Sequence, residues 1–280
     1  LPVRLIAMDM DGTLLDDTQQ IPEDNVRALR DALSAGIHIA ICSGRSAKDV
    51  SYFASDAGLT QCHIIALNGC ACLDTPHGAP YATHVFSPAV VERVIPIFLA
   101  HDVTFAAFQA ERIIVYESTL HVRKRNWGTH IARGTVNHYA FGVDALTQYK
   151  GEGVCKFVYI DEDHSPRLTL LRKELQTLAG LEVTSSWSNN LELIPQGVNK
   201  GTALKQLADR LRIARDDVMA LGDYDNDLDM IAYAGYGVAM GNASQSVLQV
   251  ARYTTLNNTQ NGVAYAIRKY ALGMDEARNT

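Results

Sequence analysis

Short apolar runs recur along the chain, and most stop abruptly at a polar residue or a glycine. Leu5-Ile6-Ala7-Met8 meets Asp9-Met10-Asp11-Gly12-Thr13, the pattern of a buried strand running into a tight turn. Pro22-Glu23-Asp24 signals a helix start, Val26, Leu29 and Leu33 follow at helical spacing, and Gly36 closes the element. A second buried strand spans Ile37 to Cys42 and stops at Ser43-Gly44-Arg45; a short helix over about 46–57 leads to a third, His63 to Leu67, stopping at Asn68-Gly69. Strands alternating with helices imply a parallel sheet with crossover helices.

The pattern changes near residue 70. Cys70 to Asp74 and Tyr81 to Phe86 flank Thr75-Pro76-His77-Gly78, which reads as a hairpin. Ser87-Pro88 opens a helix carrying Val91, Val94, Ile95, Phe98 and Leu99, with Pro96 marking a kink or an early end. Val103 to Phe108 and Arg112 to Glu117 read as paired strands around Gln109-Ala110-Glu111. No firm element is assigned over 118–153. Val154 to Ile160 is a strand, Pro166 to Leu178 a helix with Leu168, Leu171, Leu175 and Leu178 on one face, and Leu181 to Ser188 a strand. Strand pairs mixed with helices describe an α+β module over 83–189.

Alternation then resumes. Lys200 to Leu211 is a helix with a Leu204, Leu207, Leu211 stripe, and Val218 to Gly222 is a strand that stops at Asp223. A short helix, a strand over Tyr236 to Met240 and two more helices follow, the last holding Val263, Ile267, Tyr270 and Ala271. The expected architecture is one α/β core over 1–82 and 190–280, interrupted by the 83–189 module. Glu192, in Leu191-Glu192-Leu193-Ile194-Pro195, reads as a strand residue at the return to the core.

Composition narrows the function. The chain has 280 residues, is 47% apolar and 20% charged, and carries a formal net charge of -6, an ordinary globular balance. No nucleic-acid partner is expected: the one basic cluster, Arg123-Lys124-Arg125, reads as a solvated face. No run is long enough to span a membrane, and the first apolar run meets acid too soon for a signal peptide. Five cysteines with no C-x-x-C spacing argue for reduced thiols and a cytoplasmic setting. Cys70, Cys72, Cys62, His63 and His77 read as strand alternation rather than as a zinc site. Six histidines of the inserted module (His84, His101, His121, His130, His138 and His164) lack ligand spacing and read as structural or surface residues.

The chemistry gathers where the strands stop. In open sheets of this kind, ligands bind beyond the carboxyl ends of the strands, and Asp9, Asp11, Ser43, Asn68 and Asp223 all belong to that edge. Asp9, Asp223 and a main-chain carbonyl near Asp11 would supply hard oxygen ligands, and few protein ligands suit Mg²⁺. Ser43 with the N–H groups around Gly44 makes an anion cradle at a helix start. Lys200 brings a positive charge and Asn226 an amide donor. Together these fit a phosphoryl group, with Asp9 a candidate nucleophile and Asp11 a proton carrier.

These motifs carry a family resemblance. The chain resembles the haloacid dehalogenase superfamily of phosphatases, and within it the Cof-type, sugar-phosphatase-like hydrolases. Asp9-Met10-Asp11-Gly12-Thr13-Leu14 resembles the first family motif, Ser43-Gly44-Arg45 the second, Lys200-Gly201 the third, and Gly222-Asp223 with Asn226-Asp227 the fourth, in family order. The resemblance implies a Rossmann-like core and a large α/β cap that selects substrate. It implies that Asp9 is the nucleophile, Asp11 the general acid/base, and that Mg²⁺ is held by Asp9, the Asp11 carbonyl and Asp223. It places phosphate on the Met10 backbone, Ser43, Gly44, Lys200 and Asn226, with Asp227 supporting Lys200 or a water on the metal. The expected substrate is a small phosphorylated metabolite, such as a sugar phosphate or a phosphorylated cofactor, turned over by a monomer or a small homo-oligomer.

Two other functions share this core. A phosphomutase or phosphotransferase would return the phosphoryl group to a sugar. A phosphoswitch or binding module would hold it without turnover, and a placed acid/base at Asp11 counts against that.

Overall fold

The apolar run Leu5–Asp9 forms strand β1, with all five residues buried. In the computed structural model, which describes residues 2–109, 113–116, 139–141, 153–161 and 166–274, the chain divides into two compact units. One comprises Leu1–Tyr81 with Asn199–Thr280, the other Ala82–Val198.

In the first unit β1 pairs in parallel with β2 (His38–Cys42) on one side and with β12 (Val218–Gly222) on the other. Parallel pairing continues outward through β3 (His63–Ala66) and through β13 (Tyr236–Ala239) to β14 (Tyr253–Thr254). Ile6 and Met8 join a core with Leu29, Val50, Phe53, Val263 and Ile267, while Leu5 and Ala7 alternate onto the other face. Helix Leu228–Tyr233 packs beside β12 and β13 and against helix Lys200–Leu211. Helices on both faces explain why these strands read as unbroken apolar runs.

The hairpin expected near residue 70 extends this same sheet. β4 (Ala71–Leu73) lies antiparallel to β3, and β5 (Pro80–Thr83) follows at the edge, so the sheet is not wholly parallel. The five cysteines are buried, and none is in a disulfide. Burial pushes Cys72 up to about 11 and Cys62 up to about 12.

The second unit has its own sheet, in the order β10-β11-β9-β6-β7-β8. Its strands are β6 (Phe105–Phe108), β7 (Ile113–Tyr116), β8 (Tyr139–Phe141), β9 (Lys156–Ile160), β10 (Leu181–Thr184) and β11 (Asn190–Pro195). Helices Pro88–Ala100 and Arg167–Leu175 place Phe98, Leu171 and Leu175 in a core with Phe105, Phe157, Leu191 and Leu193. Alternation along β9 and β11 sends Lys156 and Glu192 to the opposite face. There they form a buried ion pair at 2.8 Å.

Three expectations change here, and one unassigned stretch gains a strand. The core return is not at 190: β11 pairs antiparallel with both β9 and β10, so residues 190–195 and Glu192 belong to the inserted sheet. The strand from Leu181 stops at Thr184 because Asn190 Oδ1 accepts from the N–H groups of Ser186 (3.0 Å) and Trp187 (3.1 Å) and folds the chain into a turn. Pro96 neither ends nor breaks its helix, which runs to Ala100. Pro96 and Glu92 are both exposed, so water can take the carbonyl that the missing N–H frees. Within 118–153, the described residues include β8, which pairs in parallel with β7. Residues 110–112, the basic cluster 123–125, and His121, His130, His138 and His164 lie outside the described residues.

Candidate active site

The parallel register decides what arrives at the end of β1. Asp9 lies opposite Cys42, and Met8 opposite Leu221. Ser43 and Asp223, the residues just past β2 and β12, therefore flank the same edge as Asp9. The chain leaves β1 in a wide π-turn over Met10–Leu14, in which Asp11 and Gly12 depart from helical angles. Gly12 has φ +78°, and a Cβ there would lie 2.3 Å from Asp223 Oδ2. Only glycine accepts both the conformation and the close approach. Asparagines hold the turn in place: Asn242 donates to Gly12 O at 2.8 Å and Asn258 to Leu15 O at 3.0 Å.

Lys200 enters on the first turn of its helix. Asn199 caps that helix, its Oδ1 accepting from Thr202 N at 2.8 Å. The Lys200 side chain is fully buried, and its Nζ donates to Asp9 Oδ1 and, at 2.7 Å, to Asp227 Oδ1. Asp227, also fully buried, accepts on Oδ2 from the N–H groups of Asp223 (3.0 Å) and Tyr224 (3.2 Å). A Cβ on Gly222 would stand 2.5 Å from Asp227 Cβ, so the residue closing β12 has to be small. Thr13 Oγ1 donates to Asp223 Oδ1 at 3.0 Å.

Electrostatics at this edge are unbalanced. Burial, then the Asp227 charge, hold Asp9 well above the usual carboxylate range, and Lys200 only partly counters them. Burial and Asp227 likewise push Asp223 up to about 7. Burial alone would lower Lys200, but Asp227 and Asp9 more than offset it and raise it. Surplus buried carboxylate of this kind is relieved by a hard cation. Asp9, Asp223 and Asp227 each offer an oxygen, and these lie within 4.8 Å of one another. Asp227 spends its oxygens on Lys200 and on two main-chain N–H groups, so Asp9 and Asp223 are the better placed to hold such an ion. An all-oxygen, carboxylate donor set fits Mg²⁺.

Asp11 points elsewhere. Arg45 Nε donates to Asp11 Oδ2 at 2.8 Å and Arg45 Nη2 to Asp11 Oδ1 at 2.6 Å. Burial would lower the Arg45 guanidinium, but its bonds to Asp11 raise it above its ordinary value.

The expected anion cradle around Gly44 needs correction. The helix begins at Ala47 and is capped by Ser46, in line with the expected 46–57, and Ser43-Gly44-Arg45 forms the loop just ahead of it. The Ser43 N–H is taken by Ile65 O at 2.8 Å, and the Arg45 N–H by Ser43 Oγ at 3.1 Å. Ser43 keeps its hydroxyl proton to donate. Asn226 Nδ2 reaches Asn68 Oδ1 at 3.4 Å, and the Asn68 N–H donates to Ser43 O at 3.0 Å, which ties these three loops together.

Asp9, Lys200, Asp223 and Asp227 thus come into one network. Met10 lies at the head of the π-turn, and Ser43, Gly44 and Asn226 lie on neighbouring loops. Sequence reasoning gave no role to Arg45, Asn68 or Thr13. A weak signal existed for Asn68, a buried polar residue beside a strand end. It adopts φ 57° directly after Leu67 at φ 51°, a strained pair of the kind that clusters at functional sites.

A family model described as haloacid dehalogenase-like hydrolase matches residues 6–267. The 5-amino-6-(5-phospho-D-ribitylamino)uracil phosphatase YcsE of Bacillus subtilis is 30% identical over 270 residues, covering 96% of each chain. The pyridoxal phosphate phosphatase YbhA of Escherichia coli is 26% identical, covering 97% of this chain and 100% of its own. Among solved structures, a haloacid dehalogenase-like hydrolase from Bacteroides thetaiotaomicron aligns with TM-score 0.80 at 27% identity, covering 95% of this chain and 99% of that one.

Proposed function

The chain belongs to the haloacid dehalogenase-like hydrolases and is an enzyme of the phosphatase kind; on that premise we propose that it hydrolyses small phosphorylated metabolites through an aspartyl-phosphate on Asp9, with Mg²⁺ as cofactor. The observation that carries this reading is Lys200 Nζ, buried and shared between Asp9 and Asp227 at the strand end where Asp223 also arrives. The Asp9 and Asp223 carboxylates and the Asp11 main-chain carbonyl would hold the ion. When bound it supplies positive charge that keeps Asp9 ionised and screens it from a phosphate dianion.

In the first step an Asp9 carboxylate oxygen attacks phosphorus and the ester P–O bond breaks. Asp11 gives the departing oxygen its proton, leaving an alcohol. In the second step water attacks the same phosphorus, Asp11 takes the water's proton, and the bond from phosphorus to Asp9 breaks to release inorganic phosphate. Lys200 holds the phosphoryl oxygens as charge spreads over them. The Ser43 hydroxyl, the Met10 and Gly44 main chain and the Asn226 amide orient the phosphate. Asp227 keeps Lys200 charged and aimed. We assign substrate selection to the inserted unit.

A screen of phosphorylated metabolites with Mg²⁺, scored by free phosphate, tests the reading. Phosphate release from at least one sugar phosphate or phosphorylated cofactor, without an isomerised product, is the expected result. Asp9→Asn should abolish release while the protein stays folded by circular dichroism. Near-wild-type release by that variant would sink the nucleophile assignment.

A further inference from the structure

The carboxylate assigned to proton transfer is held by a side chain that the reaction scheme leaves unused. Arg45 Nε and Nη2 grip the two Asp11 oxygens at 2.8 Å and 2.6 Å, and each side chain is only 20% exposed. The guanidinium is itself fixed. Its carbon lies 5.1 Å from the centre of the Phe53 ring, and Nη2 also reaches Gln19 Oε1. Its main chain is pinned as well, the N–H on Ser43 Oγ at 3.1 Å and the carbonyl accepting from Leu67 N at 2.9 Å.

A planar fork against a planar carboxylate leaves that carboxylate one orientation, which a lysine ammonium cannot enforce. Each carboxylate oxygen offers about two acceptor directions. An oxygen that accepts one N–H from Arg45 therefore keeps another lone pair for a proton. An exposed ion pair would do little, but this one is bidentate, half-buried and braced by a ring. Nε and Nη2 are committed to Asp11 and Gln19, which leaves Arg45 only the two N–H groups of Nη1 for any other partner.

We propose that Arg45 is a positioning residue for phosphoryl transfer. Its fork sets the plane of the Asp11 carboxyl so that the remaining lone pair meets the leaving oxygen and then the attacking water, and Arg45 itself does not touch the phosphate. This rests on Asp11 as the acid/base of the proposed reaction.

The test compares kcat/KM for an alkyl phosphate, whose leaving oxygen needs a proton, with that for 4-nitrophenyl phosphate, whose leaving group does not. Wild type, Arg45→Lys, Asp11→Asn and the double variant are measured with Mg²⁺, with thermal melts alongside. Arg45→Lys keeps the charge and loses the fork. We expect it to lower the alkyl value about 100-fold and the aryl value less than about tenfold, the scale of a misplaced catalytic group. In the Asp11→Asn background the same change should shift the alkyl-to-aryl ratio by less than about twofold, because a residue acting through Asp11 has nothing left to position. Equal losses on both esters, independent multiplication of losses in the double variant, or a raised KM with kcat unchanged would each overturn the proposal. If Arg45→Lys also lowers the melting midpoint, Gln19→Asn, which loosens the fork from its exposed side, should give the same selective loss at smaller size. An Asp11→Asn enzyme without alkyl selectivity would refute the acid/base reading itself. A selective Asp11→Asn beside an unselective Arg45→Lys would refute only the role of Arg45.

Discussion

Asp227→Asn is nearly isosteric, yet the structure makes it costly. Asp227 accepts three hydrogen bonds on two oxygens, from Lys200 Nζ at 2.7 Å and from the main-chain N–H groups of Asp223 and Tyr224 at 3.0 Å and 3.2 Å. All three partners are donors. An asparagine has one oxygen and one NH₂ group, so in either flip the NH₂ faces a donor. With the oxygen toward the main chain, Lys200 loses a charged acceptor in a fully buried place. With the oxygen toward Lys200, two main-chain N–H groups lose theirs. Breaking a buried ion pair from one side costs about 3–5 kcal/mol. At about 2–4 °C per kcal/mol for a domain of this size, the metal-free melting midpoint should drop by about 6–20 °C. Asp225→Asn makes the same chemical change on an exposed side chain of the same turn and should stay within about 0.5 kcal/mol of wild type. Thermal and urea melts of both variants, with phosphate release measured in parallel, decide the matter. If Asp227→Asn melts within about 2 °C of wild type, the three-donor account of this carboxylate is wrong.

Mg²⁺ affinity should rise with pH through about 7, because Asp223 keeps its proton up to that value and a cation needs the ionised ligand; calorimetric titrations showing flat affinity from about pH 5.5 to about pH 8.5 would contradict this. The same raised value carries a sign for metal-free stability. Between the ordinary carboxylate range and about 7 the folded state binds more protons than the unfolded one, so stability falls as pH rises through that window, and urea midpoints along a pH series check it. Gly12→Ala places a Cβ 2.3 Å from Asp223 Oδ2 at φ +78°; it should cost about 1–3 kcal/mol in backbone strain alone and weaken Mg²⁺ binding, and wild-type affinity would show that Asp223 moves aside freely. Lys156→Met removes the ammonium 2.8 Å from buried Glu192 and should destabilise by about 3–5 kcal/mol, whereas Lys156→Met with Glu192→Met should recover most of it; urea melts of the pair that merely add would argue against coupling.

How much of this could be read from the sequence follows from the range of the forces involved. Asp9, Ser43 and Asp223 were legible because each ends an apolar run, and parallel strands carry their ends to one edge whatever the loops do. Lys200 was legible because a helix start has a local signal. The fate of 190–195 was not. An apolar run just ahead of a core helix looks the same whether it pairs with core strands or, as here, with β9 and β10, and pairing is decided by distant partners. Arg45 was hidden for a related reason: no periodicity says which carboxylate a long side chain will grip 34 residues away. The helix start at Ala47 was legible to within a residue because Ser46 suits a cap, and Ser46 does accept from Asp49 N.

The central position of β1 also sets an order of assembly. Its partner on one side, β2, follows within a few tens of residues, but β12 and the lysine that meets Asp9 come far later, Lys200 being 191 residues away. At about 5–20 residues per second of synthesis, that interval is about 10–40 s. Throughout it the newborn chain carries a bare strand edge, the feature that invites wrong partners, while the whole inserted unit is being made. The cluster around Asp9 therefore closes only after the whole inserted unit has been made.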